Sequence, residues 1–180
     1  MIQHVRDNDL LDALEKLAQK PLSGKYWRSV RVGRSPEECV RGGGRWDDGS
    51  FDVLYTSASK EGAIEERRFH LFRGQPIPPS KISFALYQVN VSLSNVITFN
   101  NLESLRAVGL NIDQYGSLSY AGKDTEYPRS QEIAEACFFL GADGIVVPNA
   151  RHDSLNLIVF CEQDPKPIIE MTDFVEPINF

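Results

Sequence analysis

Leu10, Leu11, Leu14 and Leu17 recur at three- and four-residue spacing behind Asp7 and Asp9. That period puts them on one face of a helix with an aspartate as its N-cap, and Pro21 to Gly24 stop it. From Tyr26 to Val32 the apolar positions support a strand, and Ser35-Pro36-Glu37-Glu38 opens a short helical turn. The run Gly42-Gly43-Gly44 follows as a loop. Phe51 to Thr56 is a short strand, after which Ser57 or Ser59 caps a helix reaching Phe72, with Ala63, Ile64, Leu71 and Phe72 inward.

Pro76, Pro78 and Pro79 break the chain. Beyond them Ile82, Phe84 and Leu86 share one face and Ala85, Tyr87, Val89 and Val91 the other, which predicts a long strand buried on both sides. Val96 to Phe99 reads as another short strand and Leu102 to Val108 as a short helix. Arg129 to Leu140 is a clearer helix, with Ile133, Ala136, Cys137 and Leu140 inward and Gly141 at its C-terminal end. Ile145-Val146-Val147 and Leu157 to Phe160 are short apolar strands separated by the polar loop Asn149 to Ser154. Strands and helices mix without regular βαβ alternation, so the expected fold class is α+β.

A chain of 180 residues, 42% hydrophobic and 24% charged, can bury one sizeable core, so a single domain is expected. The net charge of −6 argues against general nucleic-acid binding, which needs clustered basic residues. The charge is uneven. Residues 26–45 carry five arginines against Glu37 and Glu38, whereas the last twenty residues carry five acids against Lys166. A basic stretch in an acidic protein suits a small anionic ligand. Cys39, Cys137 and Cys161 are odd in number and far apart, which suggests neither a disulfide framework nor a zinc site. With no signal-peptide pattern and no apolar run of membrane-span length, the expected setting is the cytoplasm, neither exported nor embedded.

The candidate chemistry lies between Tyr26 and Glu66. Arg28 sits mid-strand among aromatics, where an inward guanidinium needs a partner. Gly42-Gly43-Gly44 permits a tight turn or close approach to a phosphate, and Arg45 beside it can clamp a phosphate or carboxylate at two points. Tyr55, at a strand end, is a core aromatic or a stacking platform. Glu65-Glu66-Arg67-Arg68 has the look of a solvated helical face, from which one acid can turn inward toward the same cleft. His4, His70 and His152 have no metal-ligand spacing, and no nucleophile elbow is present.

In order, Arg28, Gly43-Gly44-Arg45-Trp46, Leu54-Tyr55, Ala63 with Glu66, and Gly141 to Arg151 followed by Asn156 to Phe160 resemble the RES domain family, named for an Arg, a Glu and a Ser. The resemblance runs over residues 24–162, leaving residues 1–23 as an N-terminal amphipathic helix packed on the body and 163–180 as an acidic C-terminal extension. It implies an ADP-ribosyltransferase-like mixed β core with flanking helices. It also implies a bacterial toxin that consumes NAD as substrate, without metal, and is neutralised by an Xre-type antitoxin. On this resemblance Arg28 is the family's Arg, Tyr55 its pocket tyrosine, Glu66 its Glu with Glu65 as the adjacent alternative, and Arg45 a pocket residue near phosphate. The family's Ser falls on Asn149, in Pro148-Asn149-Ala150-Arg151, where it would orient ribose or carboxamide groups. Water, inorganic phosphate or a protein side chain is left open as acceptor of the ADP-ribosyl group, as is a homodimer. The alternative is a nucleotide-binding or protein-interaction module without turnover.

Overall fold

The computed structural model describes residues 5–72, 83–117 and 120–180; the expected Pro76 to Pro79 break and the Ile82 position lie outside them. In chain order the elements are α1 (Asn8–Glu15), β1 (Lys20–Arg31), β2 (Val53–Ser57), α2 (Lys60–Phe72), β3 (Phe84–Thr98), α3 (Leu102–Arg106), α4 (Lys123–Phe139), β4 (Gly144–Pro148), β5 (Leu155–Phe160) and β6 (Ile168–Ile178). Asp7 caps α1, its carboxylate accepting from the amides of Asp9 and Leu10. Ser59 does the same for α2 through the Gly62 amide. Gly141, at φ 84°, ends α4 in the left-handed conformation a C-terminal glycine supplies.

The strands form one mixed sheet in the order β1-β2-β5-β4-β3-β6, and β1 also pairs with β3, so five strands close on themselves with β6 added beside β3. The α+β expectation for a single mixed core with flanking helices therefore holds. Alternation along the strands builds two apolar layers. Val53, Ile158 and Phe160 pack with Ile133 and Cys137 of α4 and with Leu10 and Leu14 of α1. Leu54, Leu157 and Val159 face Val89, Val91 and Leu93 of β3. Closure is uneven: β1 and β3 match over most of their length, whereas β1 meets β2 only at Trp27↔Ser57. The two strands splay beyond that point, and the gap becomes the cavity described below.

Several expectations are corrected. Residues 35–38 make no helix: the Ser35 hydroxyl accepts from the Glu37 amide in a local turn, and Val40 is drawn into a bridge with Val53. β3 runs unbroken to Thr98, because Ser92, Ser94 and Asn95, which interrupt its apolar pattern, occupy exposed positions. α4 begins six residues before Arg129, with Pro128 inside it. Leu17 lies past the end of α1 and is exposed. Residues 168–178, read only as part of an acidic tail, form β6; Glu170, Asp173 and Glu176 interrupt its apolar pattern, and Ile168, Met171 and Phe174 stay exposed. The cysteine expectation also fails. Cys39 and Cys161 form a disulfide across 122 residues of sequence. Val40 faces Val53 and Val53 faces Phe160, so the pairing of three segments carries the two sulfurs together. Among the described residues no helix is long and apolar enough to cross a membrane.

Candidate functional site

Arg28 is almost fully buried, with 7% of its surface exposed. Its guanidinium spans the gap between the splayed strands: Nη1 donates to the Tyr55 carbonyl at 2.8 Å and Nη2 to the Glu38 carbonyl at 2.9 Å. Both acceptors are neutral, and buried Nε has no partner among the described residues. Burial first, and then the nearby positive charge of Arg67, lower the Arg28 pKa to about 10. The Glu38 carboxylate acts on Arg28 only through space, and a buried cation held by neutral acceptors is an unusual arrangement, since charge is costly to desolvate.

The glycine run has a different role from the one expected. The Gly43 and Gly44 amides donate to the two carboxylate oxygens of Asp47 at 2.6 and 2.8 Å. The Tyr55 hydroxyl also donates to Asp47 Oδ2, at 2.9 Å, and accepts from the Trp46 amide. Asp47 thus fills the anion cradle that the loop could have offered to a phosphate, and it anchors Tyr55. A Cβ at Gly44 would come within 2.6 Å of the Tyr55 hydroxyl oxygen, so the loop can hug the ring only because that side chain is absent. Burial, and next the Asp47 charge, hold the Tyr55 hydroxyl well above its ordinary pKa, so it acts as a neutral donor.

Arg45 is buried in an ion pair with Glu126, itself buried on α4, and Glu126 also accepts from the Gly116 amide. Its guanidinium lies over the rings of Tyr115 and Tyr127, 4.7 and 4.8 Å from their centroids. This charge is compensated before any ligand arrives.

Glu66 and Arg67 both turn toward the cavity from α2, whereas Glu65 and Arg68 pair with each other at 3.3 Å. Burial raises the Glu66 pKa, with Arg151, Arg45, the Ala150 amide and Asn156 acting in the opposite sense. His70 Nε2 lies 3.8 Å from its Oε2 and Asn156 Nδ2 3.5 Å from its Oε1. Arg151 stacks on Phe69 at 3.3 Å and donates to the Gly116 carbonyl.

These side chains line one cavity of about 450 Å³, within the range of small-molecule sites. Arg28, Arg45, Tyr55 and Glu66 all face it. Asn149 does not line it. Its Oδ1 accepts from the Arg151 and His152 amides and its Nδ2 donates to the Gly62 carbonyl and to Asn156, so it fastens the β4–β5 turn behind the wall. The neighbouring wall residues are Ala150, Arg151 and Asn156. Sequence reasoning missed Asp47, Arg67, Glu126, Arg151 and Asn156 as site residues. Arg67 was hidden in a charge run, and only the carboxylate four residues after Gly43 pointed to Asp47's turn-closing role. Among the described residues no group of His, Cys, Asp or Glu is arranged to hold a metal ion.

Fold and site together define a small mixed barrel with flanking helices, opened at one seam into an arginine-lined pocket whose lining includes Glu38 and Glu66. The family model described as RES domain matches residues 14–172, and the chain belongs to that family. A solved structure, the crystal structure of the M.tuberculosis MbcT-MbcA toxin-antitoxin complex, contains a chain similar to this one, with a TM-score of 0.74 and 19% identity over 94% of this chain and 92% of that chain. The search of curated proteins gave no match.

Proposed function

We propose that the chain binds NAD in this cavity, cleaves its nicotinamide–ribose bond, and acts as a toxin silenced by an antitoxin partner. The observation that carries the proposal is the coexistence, in one cavity, of Arg28, a buried cation with no ion-pair partner among the described residues, and the inward carboxylate of Glu66. The family membership and the likeness to a chain from a toxin-antitoxin complex support it.

Breaking a nicotinamide–ribose bond passes through an oxocarbenium-like ribose that is more positive than the ground state. A carboxylate placed beside it stabilises charge present only in the transition state, and Glu66 would act in this way. Arg151 and Arg45 act against the larger effect of burial on Glu66 and limit the rise of its pKa. Tyr55, its hydroxyl fixed by Asp47, would present its ring face to the cationic nicotinamide. Arg28 would contribute charge-assisted hydrogen bonds to the pyrophosphate. Arg45, compensated by Glu126 and held against two tyrosines, would shape the wall near Glu66. The acceptor would be water, phosphate or a protein side chain. An Xre-type antitoxin would inhibit by covering the cavity mouth.

The test is the fate of NAD with purified protein, with products identified by NMR with and without phosphate. Loss of NAD that disappears in Glu66→Ala supports the proposal. NAD left intact in every condition, including with lysate as a source of protein acceptors, overturns it.

A further inference from the structure

Arg67 enters the cavity from α2 and crosses to β1, where Nε donates to the Ser29 hydroxyl at 3.0 Å and Nη2 to the Ser29 carbonyl at 2.8 Å. That carbonyl lies two residues past Trp27, the last point at which β2 reaches β1. The flat of its guanidinium rests on Phe84, 4.4 Å from the ring centroid. Arg67 is therefore held on three sides, next to Arg28, whose strand neighbour it grips. The two charges are close enough to repel: Arg67 acts with burial to lower the Arg28 pKa, and burial lowers that of Arg67 itself. Neither forms an ion pair with any carboxylate of the described residues. Glu38 pairs with Arg34 at 3.4 Å, and its carboxylate acts on Arg28, as Glu66 acts on Arg67, only through space. Two like charges, Arg28 buried and Arg67 partly buried, fixed by neutral hydrogen-bond acceptors and facing one cavity, are an electrostatic cost that an anion would relieve. Arg45, which lines the same cavity, differs in that it already has Glu126.

We infer that Arg28 and Arg67 together form a phosphate-binding subsite, with Arg67 the second ligand to the diphosphate of a nucleotide. This rests on the cavity being a nucleotide site, as proposed above. Rigid anchoring of Arg67 on Ser29 and Phe84 means that little side-chain freedom is lost on binding. The planar fork matters as well as the charge, because it can meet two phosphate oxygens at once. Arg67 is a binding residue in this scheme, and the bond-breaking chemistry stays with Glu66.

The experiment titrates ADP, which carries the diphosphate and has no nicotinamide bond to break, into wild type, Arg67→Gln and Arg67→Lys, with unliganded melting temperatures recorded. The subsite predicts that Arg67→Gln weakens ADP binding by about tenfold or more and that Arg67→Lys falls between it and wild type. Adenosine affinity should be the same in all three proteins. Equal ADP affinity in wild type and Arg67→Gln overturns the subsite, as does an equal loss for adenosine, which would make Arg67 purely structural. If Arg67→Gln does not fold, Arg67→Lys decides: wild-type ADP affinity there counts against the fork. Failure of the two proposals is distinguishable. ADP binding that depends on Arg67 while NAD stays intact upholds the subsite and ends the cleavage proposal. NAD cleavage by a wild type that does not bind ADP does the reverse.

Discussion

The guanidinium of Arg28 on β1 donates to the carbonyl oxygen of Tyr55 on β2 at 2.8 Å, joining two strands whose backbones have already parted. One side chain thus replaces the missing ladder bonds at the seam and brings a positive charge to the cavity wall. In the proposed scheme, stability and ligand binding are coupled through it.

Arg28→Lys tests that coupling. A lysine ammonium can donate to one carbonyl but lacks the fork that spans the carbonyls of Tyr55 and Glu38. Urea denaturation should show a loss of about 1–3 kcal/mol, accompanied by weaker anion binding. A variant as stable as wild type would show that the seam does not depend on the fork.

Asp47 holds the glycine loop and Tyr55 together at the cavity wall. It receives the Gly43 and Gly44 amides and the Tyr55 hydroxyl, and only 1% of its surface is exposed. Asp47→Ala leaves three donors unmatched and should cost about 2–4 kcal/mol in denaturant unfolding. Asp47→Asn can still accept at one oxygen and should lose less.

Glu66 gives a pH signature. Burial raises its folded pKa above the ordinary 4.5, so the fold favours the protonated form. Its contribution to stability is therefore full in acid and lost as pH rises through the raised value. Glu66→Gln should match wild type in acid and exceed it at neutral pH in urea unfolding, while NAD cleavage falls by about 10²- to 10³-fold. In wild type, the acid limb of the rate profile should sit above the range of an ordinary carboxylate.

Asn149→Ser replaces an amide that bonds the Gly62 carbonyl, Asn156 and two turn amides with a hydroxyl too short to serve them all. The expected result is a loss of about 1 kcal/mol or more in thermal or urea unfolding, with no gain in NAD consumption. A large gain would show that the turn is a decayed catalytic element.

Much of this site was legible because its residues lie in segments with clear periods. Arg28 in an apolar strand and Glu66 eleven residues after Tyr55 converge on one cavity, as their spacing suggested. What stayed hidden depends on pairing between distant segments. The ion pair between Arg45 and Glu126 joins residues 81 positions apart, and Glu126 lies in the turns of α4 that precede Arg129, the expected start of the helix. Arg67 could not be told from a solvated arginine until Ser29 and Phe84 were beside it. The Cys39–Cys161 contact needed the order of three strand segments. Asn149 was legible as a polar turn residue, but its orientation away from the cavity follows from the tight β4–β5 connection.

The most direct test of the central claim is NAD remaining after incubation with purified wild type and with Glu66→Ala, read by NMR. The account predicts that wild type consumes NAD with release of nicotinamide and that Glu66→Ala leaves it intact. Equal consumption by both proteins, or none by wild type in any condition including with lysate, would contradict it.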